Sequence, residues 1–293
     1  MNRVDESQAL QSPRGITDMF RDEQHNAHFD RKGFLTLPCL SEAECEALRA
    51  AYAGLESATL RLGFSASVMS SDLRFREAVN LATTALFDRI IDELFVGYRL
   101  CFSNFVTKRA QNADVLKLHQ DPTFVSEPAF ESVNIWIPLE DVSPENGCLF
   151  VVPGSQRLNR AVRGTNRRFP YDELLPAIEA NYVRAVPLKA GEACIMSQRT
   201  FHGSYGNAAK RDRISVAAIA VPSASIPIYC YQGRLSNGDA VVDVFQVDDE
   251  FYRTHVFGET PNASMLRIKR VAATADAVGL SDVHAAVSQA EQV

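Results

Sequence analysis

Between residues 98 and 231 the chain is a succession of short apolar runs, each closed by Asn, Gly or Pro, and no other feature constrains its fold as tightly. The runs cover 98–107, 115–119, 132–139, 148–152, 182–187, 192–197, 213–221 and 226–231. They are strand-length, rich in β-branched and aromatic residues, and bounded by turn formers, so they predict about eight strands. Asn146-Gly147 and Pro153-Gly154 mark two of the turns. Short strands in this number suit a two-sheet jelly roll of the cupin kind, whose mouth can hold a ligand.

Upstream the periodicity is helical. After a short strand at 33–37, Ser41 and Glu44 form a capping box that opens a helix over about 42–55. Leu40, Cys45, Leu48 and Tyr52 give it an inward stripe, and a second helix is expected over about 73–93. These helices would brace one outer sheet. The expected whole is mainly β with flanking helices: a double-stranded β-helix domain over 25–270, a flexible polar segment at 1–24, and a C-terminal tail at 271–293 that forms a surface helix or frays.

Composition removes several classes of function. A net charge of −6 disfavours a general nucleic-acid binder, which needs a basic face to displace counterions. No apolar run approaches the roughly 18 residues of a membrane span. The polar, acid-bearing start is unlike a signal peptide, so a cytoplasmic protein is expected. The six cysteines contain no C-x-x-C pair, and Cys101, Cys148 and Cys194 lie inside apolar runs. They read as buried thiols rather than a disulfide or zinc framework.

The chemistry concentrates around His119-Gln120-Asp121. On an extended strand, residues two apart project from one face, so this tripeptide offers an imidazole and a carboxylate together. A second histidine would complete the 2-His-1-carboxylate facial triad of non-haem iron oxygenases. His202 is the best candidate, and Gly203-Ser204 after it suggest a turn that presents the ring to a cavity. Eleven residues on stands Arg213, whose planar fork matches a carboxylate, with Ser215 on the same strand face. The rival readings are a strand end turning at Asp121-Pro122, a packed His202, and an Arg213 paired with a surface acid.

In order along the chain, Phe29 to Phe34, His119-Gln120-Asp121, Asn146 to Ser155, and Thr200 to Ser204 through Arg211 to Ile214 resemble the landmarks of the phytanoyl-CoA dioxygenase family. The resemblance runs from about residue 29 to about residue 222. It implies an Fe(II)- and 2-oxoglutarate-dependent dioxygenase that uses O2 and hydroxylates, or otherwise oxidises, a small organic molecule. His119, Asp121 and His202 would hold iron. Arg213, with Ser215 adding a hydrogen bond, would hold the far carboxylate of 2-oxoglutarate. Family members often carry an aromatic where Trp136 stands, beside the co-substrate. They usually place His after Pro-Gly-Ser, and here Gln156 replaces it. The same barrel also serves non-redox cupin isomerases and binding proteins, and a peptide hydroxylase would need a surface groove instead.

Further candidates follow from position. Asn134 shares a strand face with Trp136, and Lys117 has the parity of His119 and Asp121. Between the two halves of the triad, the irregular stretch 156–181 carries Arg157, Arg160, Arg163, Arg167 and Arg168. It reads either as a lid that recognises an anionic or carrier-bound substrate or as a solvated loop face. His255 is a candidate substrate contact in a segment that folds back over the site. His25 and His28 share a helical spacing but have no third ligand nearby.

Overall fold

The computed structural model describes residues 19–55, 63–127, 129–166 and 168–292. Most of the expected N-terminal segment, and Arg167 of the arginine run, lie outside the described residues. Of residues 19–24, also expected to be flexible, 21–24 are exposed, but the first two are packed. Met19 and Phe20 are buried, and the Asn26 side chain bonds both the N–H and the C=O of Phe20. Phe20 rests on Phe29 and Phe95. Helix α1 (Glu23–Lys32) opens on the Asp22 carboxylate and closes at Gly33, whose φ of 79° lies in the left-handed region. Only Asn26 and Phe29 are buried on it, too few to print a helical stripe in the sequence.

Strand β1 (Phe34–Pro38) leads into α2 (Glu42–Ala53), which begins at the expected capping box. Then follow β2 (Phe64–Ala66), α3 (Leu73–Leu94), β3 (Tyr98–Lys108), β4 (Leu116–His119), β5 (Val133–Pro138) and β6 (Leu149–Val151). The irregular stretch after β6 holds α4 (Leu175–Asn181) and leads to β7 (Arg184–Val186), β8 (Glu192–Ser197), β9 (His202–Ser204) and β10 (Arg213–Pro222). The chain ends with β11 (Ile228–Arg234), β12 (Ala240–Gln246), α5 (Phe251–Thr254), β13 (Leu266–Ala272) and α6 (Leu280–Glu291).

Two antiparallel sheets make the jelly roll: a six-stranded one ordered β1-β8-β5-β10-β3-β2 and a four-stranded one ordered β4-β9-β6-β7. A third sheet, β11-β12-β13, extends it. The alternation on β5 explains the layering. Val133, Ile135 and Ile137 pack outward with Phe75, Phe87, Ile90 and Ile91 of α3, while Trp136 packs inward with Leu149, Val151 and Val186 of the smaller sheet. Burying each such large apolar side chain is worth about 1.5–3 kcal/mol, so the helices hold the larger sheet in place while its inner face stays free to build a cavity.

Residues 203 and 204 are strand, not the turn expected from Gly203-Ser204. The tail does not fray: Val283, Ala286, Val287 and Ala290 of α6 are buried, and Val283 and Val287 pack in a cluster with Phe150, Phe169 and Phe201. All six cysteines are free, five of them buried. Among the described residues no helix is long and apolar enough to cross a membrane.

Candidate metal and co-substrate site

The pairing of β4 with β9 places the histidines. His119 lies opposite His202, but Leu116 lies opposite Ser204, so β4 carries one extra residue across that interval. Such a bulge breaks strand alternation. Leu116 and His119 both line the cavity, Leu118 packs behind with Phe150 and Phe201, and Lys117 is exposed. The parity expected to bring Lys117 to the site is thereby lost. Gly203 is needed where the strands meet, because a Cβ there would sit 2.3 Å from the Leu116 carbonyl oxygen and 2.5 Å from the Phe150 ring.

Each imidazole places its Nδ1 2.9 Å from a backbone oxygen, that of Lys117 for His119 and that of Thr200 for His202. Donation from Nδ1 leaves both Nε2 lone pairs free. The Asp121 Oδ1 atom is 3.7 Å from Nε2 of His119 and 3.8 Å from Nε2 of His202. One donor atom from each of the three residues lies within 4.8 Å of the others. Desolvation, then the facing His202, push the His119 pKa down to about 4 and keep it neutral. Asn134 donates from Nδ2 to Asp121 Oδ2 at 2.9 Å, and Arg163 donates from Nε to the Asp121 carbonyl at 2.7 Å. Two imidazoles and a carboxylate, each oriented from behind and open toward one cavity, are a donor set that fits ferrous iron.

The cavity has a volume of about 330 Å³ and holds Arg213 among its walls. That side chain is 1 % exposed. Its Nη1 donates to Ser215 Oγ at 2.8 Å, its guanidinium carbon lies 5.3 Å from the centroid of the Trp136 ring, and its Nε has no hydrogen-bond partner. No carboxylate forms an ion pair with it among the described residues; neighbouring Asp212 pairs with Arg109 instead. Burial lowers its pKa to about 10, so it stays charged at neutral pH. A buried, charged fork that faces a cavity, with Glu140 near enough to act on its charge but no carboxylate in direct ion-pair contact, is a prepared site for an anion.

Trp136 and Asn134 line the cavity as expected from their strand face, although the Asn134 amide is turned to Asp121. Ser215 differs from expectation. Its hydroxyl donates to the Val106 carbonyl at 2.8 Å and accepts from Arg213, so it orients the arginine and has no proton left for a co-substrate. Arg168 is exposed and borders a separate small crevice beside His119. His255 is stacked on Phe251 away from the cavity, and Phe257 and Gly258 from that segment line it instead. The arginine run is not a uniform lid: Arg163 is buried against Glu127, Arg157 is tied to Asp30, and Gly164 and Thr165 form the wall. Gln156 holds the Asp30 carbonyl at the end of α1 and does not reach the cavity. Neither His25 nor His28 joins a metal-competent cluster among the described residues.

Sequence reasoning missed Lys108. It is buried opposite Arg213, and its Nζ donates to the carbonyls of Asp114, Ser204 and Tyr205, tying β3 to the chain ends beside both histidine strands. Burial, then the Arg213 charge, lower its pKa to about 7. Nothing in a sequence distinguishes such a lysine from a solvated one at a strand end. Gln120 was also overlooked; it exchanges hydrogen bonds with Asn159 and so fixes the segment between the first two ligand candidates.

Fold and pocket together define a class: double-stranded β-helix proteins with two imidazoles and a carboxylate converging on the inner cavity. The family model for phytanoyl-CoA dioxygenase (PhyH) matches residues 29–215, and the chain belongs to that family. It is 28% identical over 134 residues to a phytanoyl-CoA dioxygenase of Arabidopsis thaliana, covering 44% of this chain and 47% of the relative. It is 33% identical over 109 residues to phytanoyl-CoA dioxygenase domain-containing protein 1 of Danio rerio, covering 32% and 35%. The matches thus span about half or less of these relatives' length. Among solved structures, the epimerase SnoN in complex with Fe3+, alpha ketoglutarate and nogalamycin RO shares the fold with a TM-score of 0.52 and 23% identity, over 70% of this chain and 85% of that one. EctD from S. alaskensis with 2-oxoglutarate and 5-hydroxyectoine gives 0.51 and 19%, over 77% and 83%.

Proposed function

We propose that this protein is an Fe(II)- and 2-oxoglutarate-dependent dioxygenase that hydroxylates an unactivated C–H bond of a small organic molecule. One observation carries the reading: the His119–Asp121–His202 cluster opens on the same cavity as the Arg213 guanidinium, which has no carboxylate in ion-pair contact and an unpartnered Nε. His119, Asp121 and His202 would hold the iron, and Arg213 the distal carboxylate of 2-oxoglutarate. Bound there, iron with 2-oxoglutarate and O2 supplies the oxidation, which converts the C–H to C–OH and releases succinate and CO2.

The protein's own part is positional. Asn134 keeps the Asp121 carboxylate from rotating, the Lys117 and Thr200 carbonyls fix the two tautomers, and Ser215 and Trp136 fix the arginine. Apolar walls exclude water from the reacting bond. The test is succinate formation from 2-oxoglutarate by the purified protein given Fe(II) and O2, at the slow uncoupled rate expected without substrate. His202→Ala should lower it at least tenfold. Absence of turnover in the unaltered protein, or undiminished turnover in the variant, would overturn the reading.

A further inference from the structure

Strand β10 grades the cavity from one chemistry to another. Its inward side chains run from Arg213 through Ser215 and Ala217 to Ile219, roughly 20 Å of extended chain. Ala217 lies between Asn104 of β3 and Trp136 of β5, and Ile219 lies between Phe102 and Asn134. At the Ile219 end three rings face one another: Phe102 and Phe124 at 5.7 Å between centroids, Phe124 and Phe257 at 6.3 Å, and Phe102 and Phe257 at 6.4 Å. Val68 and Met69 complete that wall.

No charged side chain lines this end. Among the described lining residues, His119, Asp121, His202 and Arg213 are the only ones with an ionisable side chain. Once 2-oxoglutarate has taken Arg213, the cavity walls offer no cationic side chain to a second anion, and a carboxylate or phosphate buried there would be desolvated without a partner. Arginines nearby are already engaged: Arg163 by Glu127, and Arg76 by the carbonyls of Tyr252 and His255. The volume of about 330 Å³ is also small for a pocket that has to hold two molecules.

We propose that the substrate is a free, uncharged molecule with an aromatic or hydrocarbon body, seated against Phe102, Phe124 and Phe257. This rests on the oxygenase reading and replaces the anionic or carrier-bound substrate that the arginine run suggests. The oxidised C–H lies on the part of that body nearest the triad, while the ring box sets specificity.

The test uses protein loaded with Mn(II) and 2-oxoglutarate and three probes that share one ring system: 2-naphthol, 2-naphthoate and 2-naphthoyl-CoA. Calorimetry first measures 2-oxoglutarate binding, then each probe. The expected result is that 2-naphthol binds at least tenfold more tightly than either charged probe. Phe257→Ala, at the partly exposed edge of the box, should weaken 2-naphthol at least fivefold and leave 2-oxoglutarate affinity unchanged. Equal or tighter binding of 2-naphthoate or 2-naphthoyl-CoA, no binding of 2-naphthol, or an unaltered Phe257→Ala would overturn the inference. Failure of 2-oxoglutarate itself to bind would instead overturn the oxygenase reading.

Discussion

At the scale of single residues, Arg213 shows how a site departs from the rules of a stable core. A buried charge without a direct ion pair costs stability, and the protein retains one, with its Nε unpartnered, at the end of its cavity. Arg213→Met should therefore raise the melting temperature in the absence of 2-oxoglutarate, by about 2 °C for each 1 kcal/mol of relieved desolvation. The same variant should bind 2-oxoglutarate about 30-fold more weakly or worse, since a buried, hydrogen-bonded charge contact is worth about 2 kcal/mol or more. Thermal melting with and without 2-oxoglutarate checks both halves. Asn134→Ala leaves Asp121 Oδ2 without its donor and should weaken divalent-metal affinity about 10–100-fold, measured by calorimetry. That His119, Asp121 and His202 converge, with Arg213 on the same cavity, was legible in the sequence because metal and carboxylate chemistry restricts the residue types such a site would need. Lys117 and Ser215 were misjudged for local reasons: a bulge reversed one side chain, and a backbone carbonyl claimed the other's hydroxyl.

Among the elements, the short β4–β9 pair is the most demanding. It brings two histidines face to face across a contact that admits only glycine at position 203. Gly203→Ala must part the strands or displace the Phe150 ring, so it should destabilise the fold by about 2–4 kcal/mol. It should also abolish metal binding by moving His202, and melting together with metal titration reads both effects. Most strands and the two long helices were legible because apolar periodicity is strong where one face meets a core, as on β5 and α3. Helix α1 has too few buried residues to print a stripe, and β13 is exposed along most of its length, so neither left a periodic signal. Strand β12 does not alternate, since Val241, Val242, Val244 and Phe245 are all buried around Asp243, and nothing in the chain's motifs drew attention to it.

Taken as a whole, the molecule divides its site between two sheets. The four-stranded sheet supplies His119 and His202, Asp121 follows β4, and the six-stranded sheet supplies Arg213, Trp136 and Asn134. A metal and a dicarboxylate bound together would bridge the layers, whereas either alone would engage one side. This arrangement was only partly visible in the sequence: the order of motifs implied the barrel, but which sheet carried which group depended on pairing. The direct test is an anaerobic titration of Fe(II) with 2-oxoglutarate, following the visible metal-to-ligand absorption that forms when the oxoacid chelates the metal. The account predicts that the band appears with the unaltered protein and is absent with Asp121→Ala at the same concentrations. No band with the unaltered protein, or an equal band with the variant, would contradict it.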